Sequence, residues 1–215
     1  MGKREPRKVS PPPKQRNGTL AYVLILYYSR TDSVKPRAWR AARGGGQAGI
    51  EGGLRTAAPV APTHDASAHS IPQSGAPYCS TEDLENCSGL LLGSPTRFGN
   101  MAAPLKYFID QTSEQWMAGS LIGKPAGVFT SSTSMHGGQE STLLSMMVPL
   151  LHHGMLITGI PYSEKSLVNT RAGGTPYGAS HVAGTDNSSV LDDDEKQLAQ
   201  ALGRRVANIA LALRK

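Results

Sequence analysis

The chain has 215 residues, of which 39% are hydrophobic and 18% are charged, and its formal net charge is +6. A chain of this length buries roughly 70% of the surface that it exposes when unfolded, so one medium-sized domain can form without disulfide or metal support. No apolar stretch approaches the roughly 20 residues that cross a bilayer, and the N-terminus lacks the apolar core of a signal peptide. These features predict a cytoplasmic protein without a membrane span.

The positive charge is concentrated at the start of the chain. Residues 1–60 hold 12 Lys/Arg and 3 Asp/Glu, whereas residues 61–215 hold 10 and 13. The Pro-rich basic segment 1–19 has too few apolar residues to offset the entropy of ordering, so we expect a disordered tail, followed by a folded domain over 20–215. Because no basic stripe with interleaved aromatic residues runs through that domain, nucleic-acid binding is not expected.

Strand and helix patterns alternate along the domain. The run 22–28 is continuously apolar and rich in β-forming residues, which is typical of a strand buried on both faces of a parallel sheet. Further strands are predicted at 50–56, 89–93, 126–130 and 155–160, and helices at 101–111, 139–152 and 192–213, with a short helix starting at Ser80. The alternation predicts an α/β fold with a doubly wound parallel sheet.

The segment 30–46, between the first two strands, fits this pattern poorly. Pro36 is acceptable only in the first turn of a helix. Gly44, Gly45 and Gly46 each cost about 1 kcal/mol relative to Ala within a helix. The sequence therefore predicts a poor helix after the first strand.

Candidate ligand-binding residues lie in three loops, since ligands of doubly wound sheets bind beyond the carboxyl ends of the strands. The loop 29–34 carries several hydroxyl groups before a helix N-terminus, a pattern that suits a phosphate monoester. The loops 94–100 and 130–138 combine hydroxyl and amide groups with glycine and Phe98, and together could hold a flat heteroaromatic ring. Each loop by itself is more typical of an ordinary helix cap or turn. Neither Cys79 nor Cys87 has a metal-binding spacing, so no metal site is predicted.

Six motifs carry a resemblance to a known family. They are "LYYS" (26–29), "GSPTRFGNMAAPLKYFIDQT" (93–112), "GKPAGVFTSS" (123–132), "HGGQE" (136–140), "LLHHGM" (150–155) and "RAGGTPYGASHVAG" (171–184). In this order and spacing they closely resemble the WrbA family of flavodoxin-like NAD(P)H:quinone oxidoreductases. The resemblance covers roughly residues 20–213.

The resemblance implies a flavodoxin-like fold, with a five-stranded parallel sheet and helices on both faces. It also implies FMN as cofactor, NADH or NADPH as hydride donor, quinones as acceptors and a homotetramer. Quinones would be reduced to hydroquinones by two electrons, in a ping-pong reaction in which hydride passes through the flavin. Because the flavin performs this chemistry, no catalytic side chain is predicted.

The resemblance also assigns roles by motif position. The FMN phosphate would bind to Ser29, Arg30, Thr31, Asp32, Ser33 and Val34. The flavin ring would be bordered by Pro95, Thr96, Arg97, Phe98, Gly99 and Asn100, and by Ser131, Ser132, Thr133, Ser134, Met135, His136 and Gly137. His152 would contact the flavin of a neighbouring subunit, and Trp116 would line the substrate pocket. Without the resemblance, these residues are more typical of a histidine at a helix end and of a core or interface tryptophan.

Asp32 stands where members of that family usually carry glycine. Aspartate tolerates positive φ better than most residues do. At about 5 Å and an effective dielectric constant of about 20, however, its carboxylate repels each unit of phosphate charge by roughly 3 kcal/mol. We therefore expect weakened FMN affinity. Two alternatives to the quinone reductase remain at this point, namely a flavodoxin-type electron carrier and a flavin-poor binding or vestigial protein.

Overall fold

The computed structural model describes residues 21–29, 33–60, 75–186 and 188–214. The predicted tail at 1–19 lies outside the described residues, and so do Arg30, Thr31 and Asp32 of the first candidate loop.

Five parallel strands form one sheet. They are β1 (Tyr22–Tyr27), β2 (Glu51–Thr56), β3 (Gly89–Pro95), β4 (Pro125–Ser131) and β5 (Leu156–Ile157). The strand order is β2-β1-β3-β4-β5, and every neighbouring pair is parallel. This is the doubly wound parallel sheet that the sequence predicts. The central strands β3 and β4 are buried along their whole length, which explains their continuous apolar or small-residue sequences.

Seven helices accompany the sheet in the described part of the chain. They are α1 (Lys35–Gln47), α2 (Thr81–Asn86), α3 (Ala103–Asp110), α4 (Ser113–Met117), α5 (Gln139–His152), α6 (Lys165–Asn169) and α7 (Asp193–Ala212). The helices α4 and α6 are absent from the sequence prediction, because five residues are too few to show helical periodicity. The short helix predicted from Ser80 is confirmed as α2, and Ser80 forms a capping box with Asp83.

Two hydrophobic cores cover the two faces of the sheet. Alternate β1 residues point to opposite faces, so that Ile25 packs with α1 and α7, whereas Leu24 packs with α3 and α5. The helices α1 and α7 therefore lie on one face, and α3 and α5 lie on the other.

The fifth strand is shorter than the predicted strand at 155–160. Thr158 still donates its backbone N–H to the carbonyl oxygen of Ala126 in β4 at 2.7 Å, but the N–H of Ile160 donates to the carbonyl oxygen of Pro176 at 2.9 Å. Gly159 passes so close that a Cβ there would lie 2.2 Å from the Pro176 oxygen. The chain leaves the sheet because the later loop 171–184 takes over its hydrogen bonding.

The helix α1 is regular through its three glycines, so the expectation of a poor helix is wrong. A Cβ at Gly44 would lie 2.1 Å from the carbonyl oxygen of Gln200 in α7, and a Cβ at Gly203 would lie 2.0 Å from the carbonyl oxygen of Ala41. The backbones of α1 and α7 are therefore in direct contact where they cross. Packing at this crossing offsets the low helix propensity of glycine.

The crossing predicts opposite effects for two neighbouring glycines. Replacing Gly44 by Ala should destabilise the fold by about 3 kcal/mol, because the added methyl group overlaps the α7 backbone. Replacing Gly46 by Ala should stabilise it by about 1 kcal/mol, because nothing lies within 4 Å of that position and alanine favours the helix. Urea unfolding of both variants measures the difference. Equal stabilities would show that the two backbones are not in contact.

Candidate functional site

The three candidate loops lie side by side at the carboxyl edge of the sheet. They follow β1, β3 and β4, which are neighbours, and the chain reverses its winding direction between β1 and β3. Backbone hydrogen bonds join the strand ends, from Tyr28 to Gly93 at 3.0 Å and from Thr96 to Ser131 at 2.8 Å. The bases of the loops are thus fixed by the sheet itself.

The first loop leads into the N-terminus of α1. The hydroxyl of Ser29 accepts a hydrogen bond from the backbone N–H of Val34 at 3.3 Å. Val34 is the N-cap residue of α1 and its side chain cannot cap the helix, and no acidic residue lies in the first turn. Helix N–H groups and the positive end of the helix dipole therefore face the loop, as in a phosphate site. Ser33, the other described hydroxyl residue of this loop, directly precedes Val34.

The second loop is a tight turn from Arg97 to Asn100. These two residues exchange backbone hydrogen bonds at 2.8 and 3.0 Å. Between them, Phe98 has a φ of 53° and Gly99 a φ of 75°, and the Phe98 side chain is fully exposed. The carboxamide oxygen of Asn100 accepts from the Ser145 hydroxyl at 3.1 Å, so the turn is attached to α5. Pro95 ends β3, and Thr96 connects it to the turn.

The third loop has a buried base and an exposed tip. Ser131 and Ser132 are buried, whereas the residues 133–136 are exposed. The Ser132 hydroxyl donates to the carbonyl oxygen of Ser134 at 2.7 Å and accepts from the Gln139 side chain at 2.8 Å. The tip comprises Thr133, Ser134, Met135 and His136, and Gly137 follows it. Its hydroxyl and backbone groups are accessible to a ligand.

The second and third loops are in contact with each other through glycine. A Cβ at Gly138, which has a φ of 86°, would lie 3.0 Å from the Cα of Gly99. The hydroxyls of Thr96 and Thr142 also form a hydrogen bond across this contact. Neither glycine leaves room there for a side chain, and the hydroxyl and amide groups of the two loops, bordered by the exposed Phe98 ring, form the surface called the cradle below. This set of groups fits a flat, polar-edged ring such as a flavin.

A cavity of about 540 Å³ opens on the α3 side of the second loop. Its volume is in the range of small-molecule sites. Its lining consists of Tyr28, Arg97, Asn100, Met101, Ala102, Ala103, Pro104 and Lys106.

The structure brings Trp116 and His152 together, but at a distance from the three loops. The indole Nε1 of Trp116 donates to the carbonyl oxygen of His152 at 2.8 Å, and the Trp116 side chain is half exposed. The helix α5 starts at Gln139, beside the third loop, and ends at His152. Its 14 residues span about 20 Å. Within one chain, the pair and the cradle therefore lie at opposite ends of α5.

His153 holds α4 in place beside this pair. Its Nε2 is 2.9 Å from the hydroxyl of Thr112, the residue that precedes α4. Burial, together with the neighbouring His152, lowers the pKa of His153 below its usual value. His153 is therefore neutral at physiological pH and acts as a hydrogen-bonding group beside Trp116.

Sequence reasoning missed the residues that support the third loop. Ser180 donates to the Gln139 side chain at 2.5 Å, and the backbone of His181 accepts from Ser132 at 2.9 Å. The loop 171–184 is itself held by Glu195, which accepts from the N–H of Gly173 at 2.9 Å and lies 2.7 Å from His181 Nδ1. Burial raises the pKa of Glu195, but these hydrogen bonds more than offset it and lower the pKa. The S/T/D-x-x-E spacing before α7 is the one sequence signal for this role.

Among the residues that the structure describes, no group of three or more His, Cys, Asp or Glu side chains is placed to hold a metal ion. Within the same part of the chain, no helix has the length and hydropathy needed to cross a membrane.

Comparison with known proteins gives the fold a name. The chain is similar to a WrbA-like flavodoxin from Agrobacterium tumefaciens, with a TM-score of 0.61 and 21% identity over 89% of this chain and 98% of that one. It is also similar to an archaeal flavodoxin, with a TM-score of 0.58 and 15% identity over 88% and 99% of the two chains. Flavodoxin 1 from Bacillus cereus has a TM-score of 0.54 and 13% identity over 91% and 100%. The predicted flavodoxin-like fold is confirmed.

The family is shown by the sequence match. The model of the NADPH-dependent FMN reductase family matches residues 22–163, well over half of the chain. The match includes the phosphate-site candidate and both ring-loop candidates, whose contacts fit a flavin. The chain therefore belongs to the NADPH-dependent FMN reductase family, and it is a flavin-dependent oxidoreductase whose cofactor is FMN.

Proposed function

We propose that this protein is an FMN-dependent NAD(P)H:quinone oxidoreductase of the WrbA type, and that it works as a homotetramer in the cytoplasm. The observation that carries the proposal is the half-exposed indole of Trp116, fixed by its hydrogen bond to the carbonyl oxygen of His152. A fixed and accessible aromatic surface is suited to stack against a quinone or a nicotinamide ring. An electron carrier of the flavodoxin type does not need such a surface.

The residues of the three loops would hold FMN. The phosphate would bind in the loop 29–34, where the N-terminus of α1 offers N–H groups. The ring would lie against the turn from Arg97 to Asn100 and the exposed tip 133–136. When bound, FMN supplies the two-electron chemistry that couples oxidation of NAD(P)H to reduction of a quinone to a hydroquinone. The protein's part is to orient the partners and to exclude water.

Trp116 and His152 would close the pocket of a neighbouring subunit. The length of α5 keeps them about 20 Å from the ring loops of their own chain. A shared pocket containing both groups can therefore form only between two copies. This reasoning supports the role of His152 that the sequence resemblance implies.

An exposed apolar surface is available for that contact. Leu144, Val148 and Leu151 are three and four residues apart and form a stripe along α5. Other exposed apolar side chains belong to α3, α4 and the turn that follows, namely Tyr107, Trp116, Met117 and Ile122. Clusters of exposed apolar side chains are typical of interfaces between subunits.

The proposed activity predicts a specific kinetic pattern. The purified protein should be yellow and should oxidise NADH or NADPH with benzoquinone as acceptor. Because donor and acceptor use one pocket in turn, double-reciprocal plots should give parallel lines. Trp116→Ala should raise the KM for the quinone by about tenfold, while the flavin stays bound. Trp39→Ala, which removes an indole from α1 that is 45% exposed against 54% for Trp116, should change neither quantity.

Each alternative gives a different result in the same assay. Intersecting lines would overturn the shared pocket. A yellow protein that does not oxidise either nicotinamide would be an electron carrier. A colourless protein that fails to take up added FMN would overturn the proposed function altogether.

The proposed assembly predicts that charge on the α5 stripe separates the subunits. Val148→Glu with Leu151→Glu should convert tetramers to smaller species and abolish quinone reduction, because a carboxylate in an apolar interface is costly to desolvate. FMN should remain bound, since the loops belong to one chain. Val190→Glu changes an exposed valine in the loop before α7 and should leave the tetramer intact.

Sedimentation analysis of the two variants and the parent protein measures this effect. A parent protein that sediments as a monomer, or a double variant that stays tetrameric and active, would contradict the proposed assembly.

A further inference from the structure

A series of buried hydrogen bonds, called the Gln139 network below, runs beneath the tip of the third loop. Gln139, Ser180 and Ser132 are 4%, 1% and 3% exposed. The Gln139 side chain lies between the other two, with Oε1 2.5 Å from the Ser180 hydroxyl and Nε2 2.8 Å from the Ser132 hydroxyl. At one end the N–H of Gly174 donates to Ser180 at 2.7 Å, and at the other Ser132 donates to the carbonyl oxygen of Ser134 at 2.7 Å. The network therefore connects the loop 171–184 to the exposed tip.

The two ends of the Gln139 network fix the direction in which its groups donate. A backbone N–H such as that of Gly174 can only donate, so the Ser180 hydroxyl accepts it and has its own proton free for the amide oxygen of Gln139. A carbonyl oxygen such as that of Ser134 can only accept, so the Ser132 hydroxyl donates to it and accepts from the amide nitrogen. Turning the amide over would lose at least one of these bonds. All donors thus point toward Ser134, and hydrogen bonds aligned in this way strengthen one another.

The bonds to the Ser134 carbonyl determine where the next N–H group points. That oxygen accepts from the Ser132 hydroxyl and, at 3.1 Å, from the backbone N–H of Gly137, so it is held toward Ser132. The peptide that joins Ser134 to Met135 is trans and planar, which directs the Met135 N–H to the opposite side. Within the described part of the chain, this N–H has no hydrogen-bond partner. It is a donor that a ligand at the tip can use.

We propose that Ser180, Gln139 and Ser132 are positioning residues for the flavin, because they hold the Ser134 carbonyl and thereby present the Met135 N–H to the edge of the ring. The proposal rests on the proposed function, which places the ring of FMN against the tip 133–136. Hydride from NAD(P)H adds two electrons to the ring and makes its edge more negative. A fixed donor there stabilises reduced FMN more than oxidised FMN and raises the reduction potential.

The reduction potentials of FMN-loaded variants, measured in equilibrium with a reference dye, test the proposal. Ser180→Ala should weaken the binding of reduced FMN about tenfold relative to oxidised FMN, because it removes the donor to Gln139. Tenfold corresponds to a potential about 30 mV more negative for a two-electron couple. Ser166→Ala is the matched control, because Ser166 is also a buried serine that donates to a glutamine, Gln197, at 3.0 Å. Its potential should equal that of the parent protein.

A double variant separates the Gln139 network from independent structural effects. Ser132→Ala removes the final bond to Ser134 and should shift the potential at least as far as Ser180→Ala does. Once that bond is absent, Ser180 no longer acts on the tip. Ser132→Ala combined with Ser180→Ala should therefore shift the potential no further than Ser132→Ala alone, whereas independent effects would add.

Amide hydrogen exchange in the apoproteins gives a readout that needs no flavin. The N–H of Gly137 donates to the carbonyl oxygen of Ser134, so its exchange rate reports whether that carbonyl is held in place. Exchange at Gly137 should be about tenfold faster in Ser180→Ala and in Ser132→Ala than in the parent protein. It should be unchanged in Ser166→Ala.

The outcomes separate this inference from the proposed function. If the parent binds FMN but both single variants keep its potential, or if their shifts add in the double variant, the three residues do not position the flavin. Unchanged exchange at Gly137 would show that the Gln139 network does not hold the tip, and would overturn the inference whatever the potentials. A parent that binds no FMN overturns the proposed function, and with it the donor role of Met135. Faster exchange at Gly137 in the variants would then still show that the network holds the loop, which distinguishes the two failures.

Discussion

Parallel pairing of β1, β3 and β4 places three loops at one edge of the sheet, and every proposed contact to FMN depends on that edge. Because the strands are buried on both faces, the two cores fix their register. The positions of the loop bases are fixed with it. The contact between Gly99 and Gly138 then brings two of the loops together. The protein thus forms a cradle from backbone and short side chains, which suits a cofactor that performs the chemistry itself.

The length of α5 imposes the second constraint. It begins at the cradle and ends at His152, where the carbonyl oxygen orients Trp116. In the proposed tetramer, the side chains that act on one flavin would belong to different chains, and assembly would be part of the active site. The exposed apolar stripe also lies on α5, the helix whose length separates the cradle from Trp116 and His152. Under the proposed function, both catalysis and oligomerisation would depend on α5.

Strands buried on both faces were predictable because their apolar runs are unbroken, as in 22–28. The loops were predictable because a parallel sheet places its ligands at the carboxyl edge. Local propensity gave the wrong secondary structure where contacts with a segment distant in the sequence determine it. Gly44 of α1 is favourable only because α7 crosses there, and the strand predicted at 155–160 ends early because Ile160 bonds to Pro176 instead of to β4. The hydrogen bond between Trp116 and His152 was not predicted, since no spacing rule joins residues on two separate helices.

Arg37 illustrates a further limit. Its position after Val34 and before Ala41 marks it as a polar residue on an apolar helix face, but the sequence gives neither its burial nor its lack of partners. Those facts arise from the packing of α1 against the sheet and α7. The burial of Nε and Nη1 without hydrogen-bond partners is visible only in three dimensions.

Complementation between subunits tests the central claim, that one active site is built from two chains. One parent carries Gly138→Ala, which disrupts the cradle because its Cβ would lie 3.0 Å from Gly99. The other carries Trp116→Ala with His152→Ala and keeps its cradle. Each parent should lack quinone reductase activity, and mixed tetramers, isolated by two different affinity tags, should regain it because intact cradles meet intact Trp116 and His152. Mixed tetramers that form but remain inactive would contradict the account.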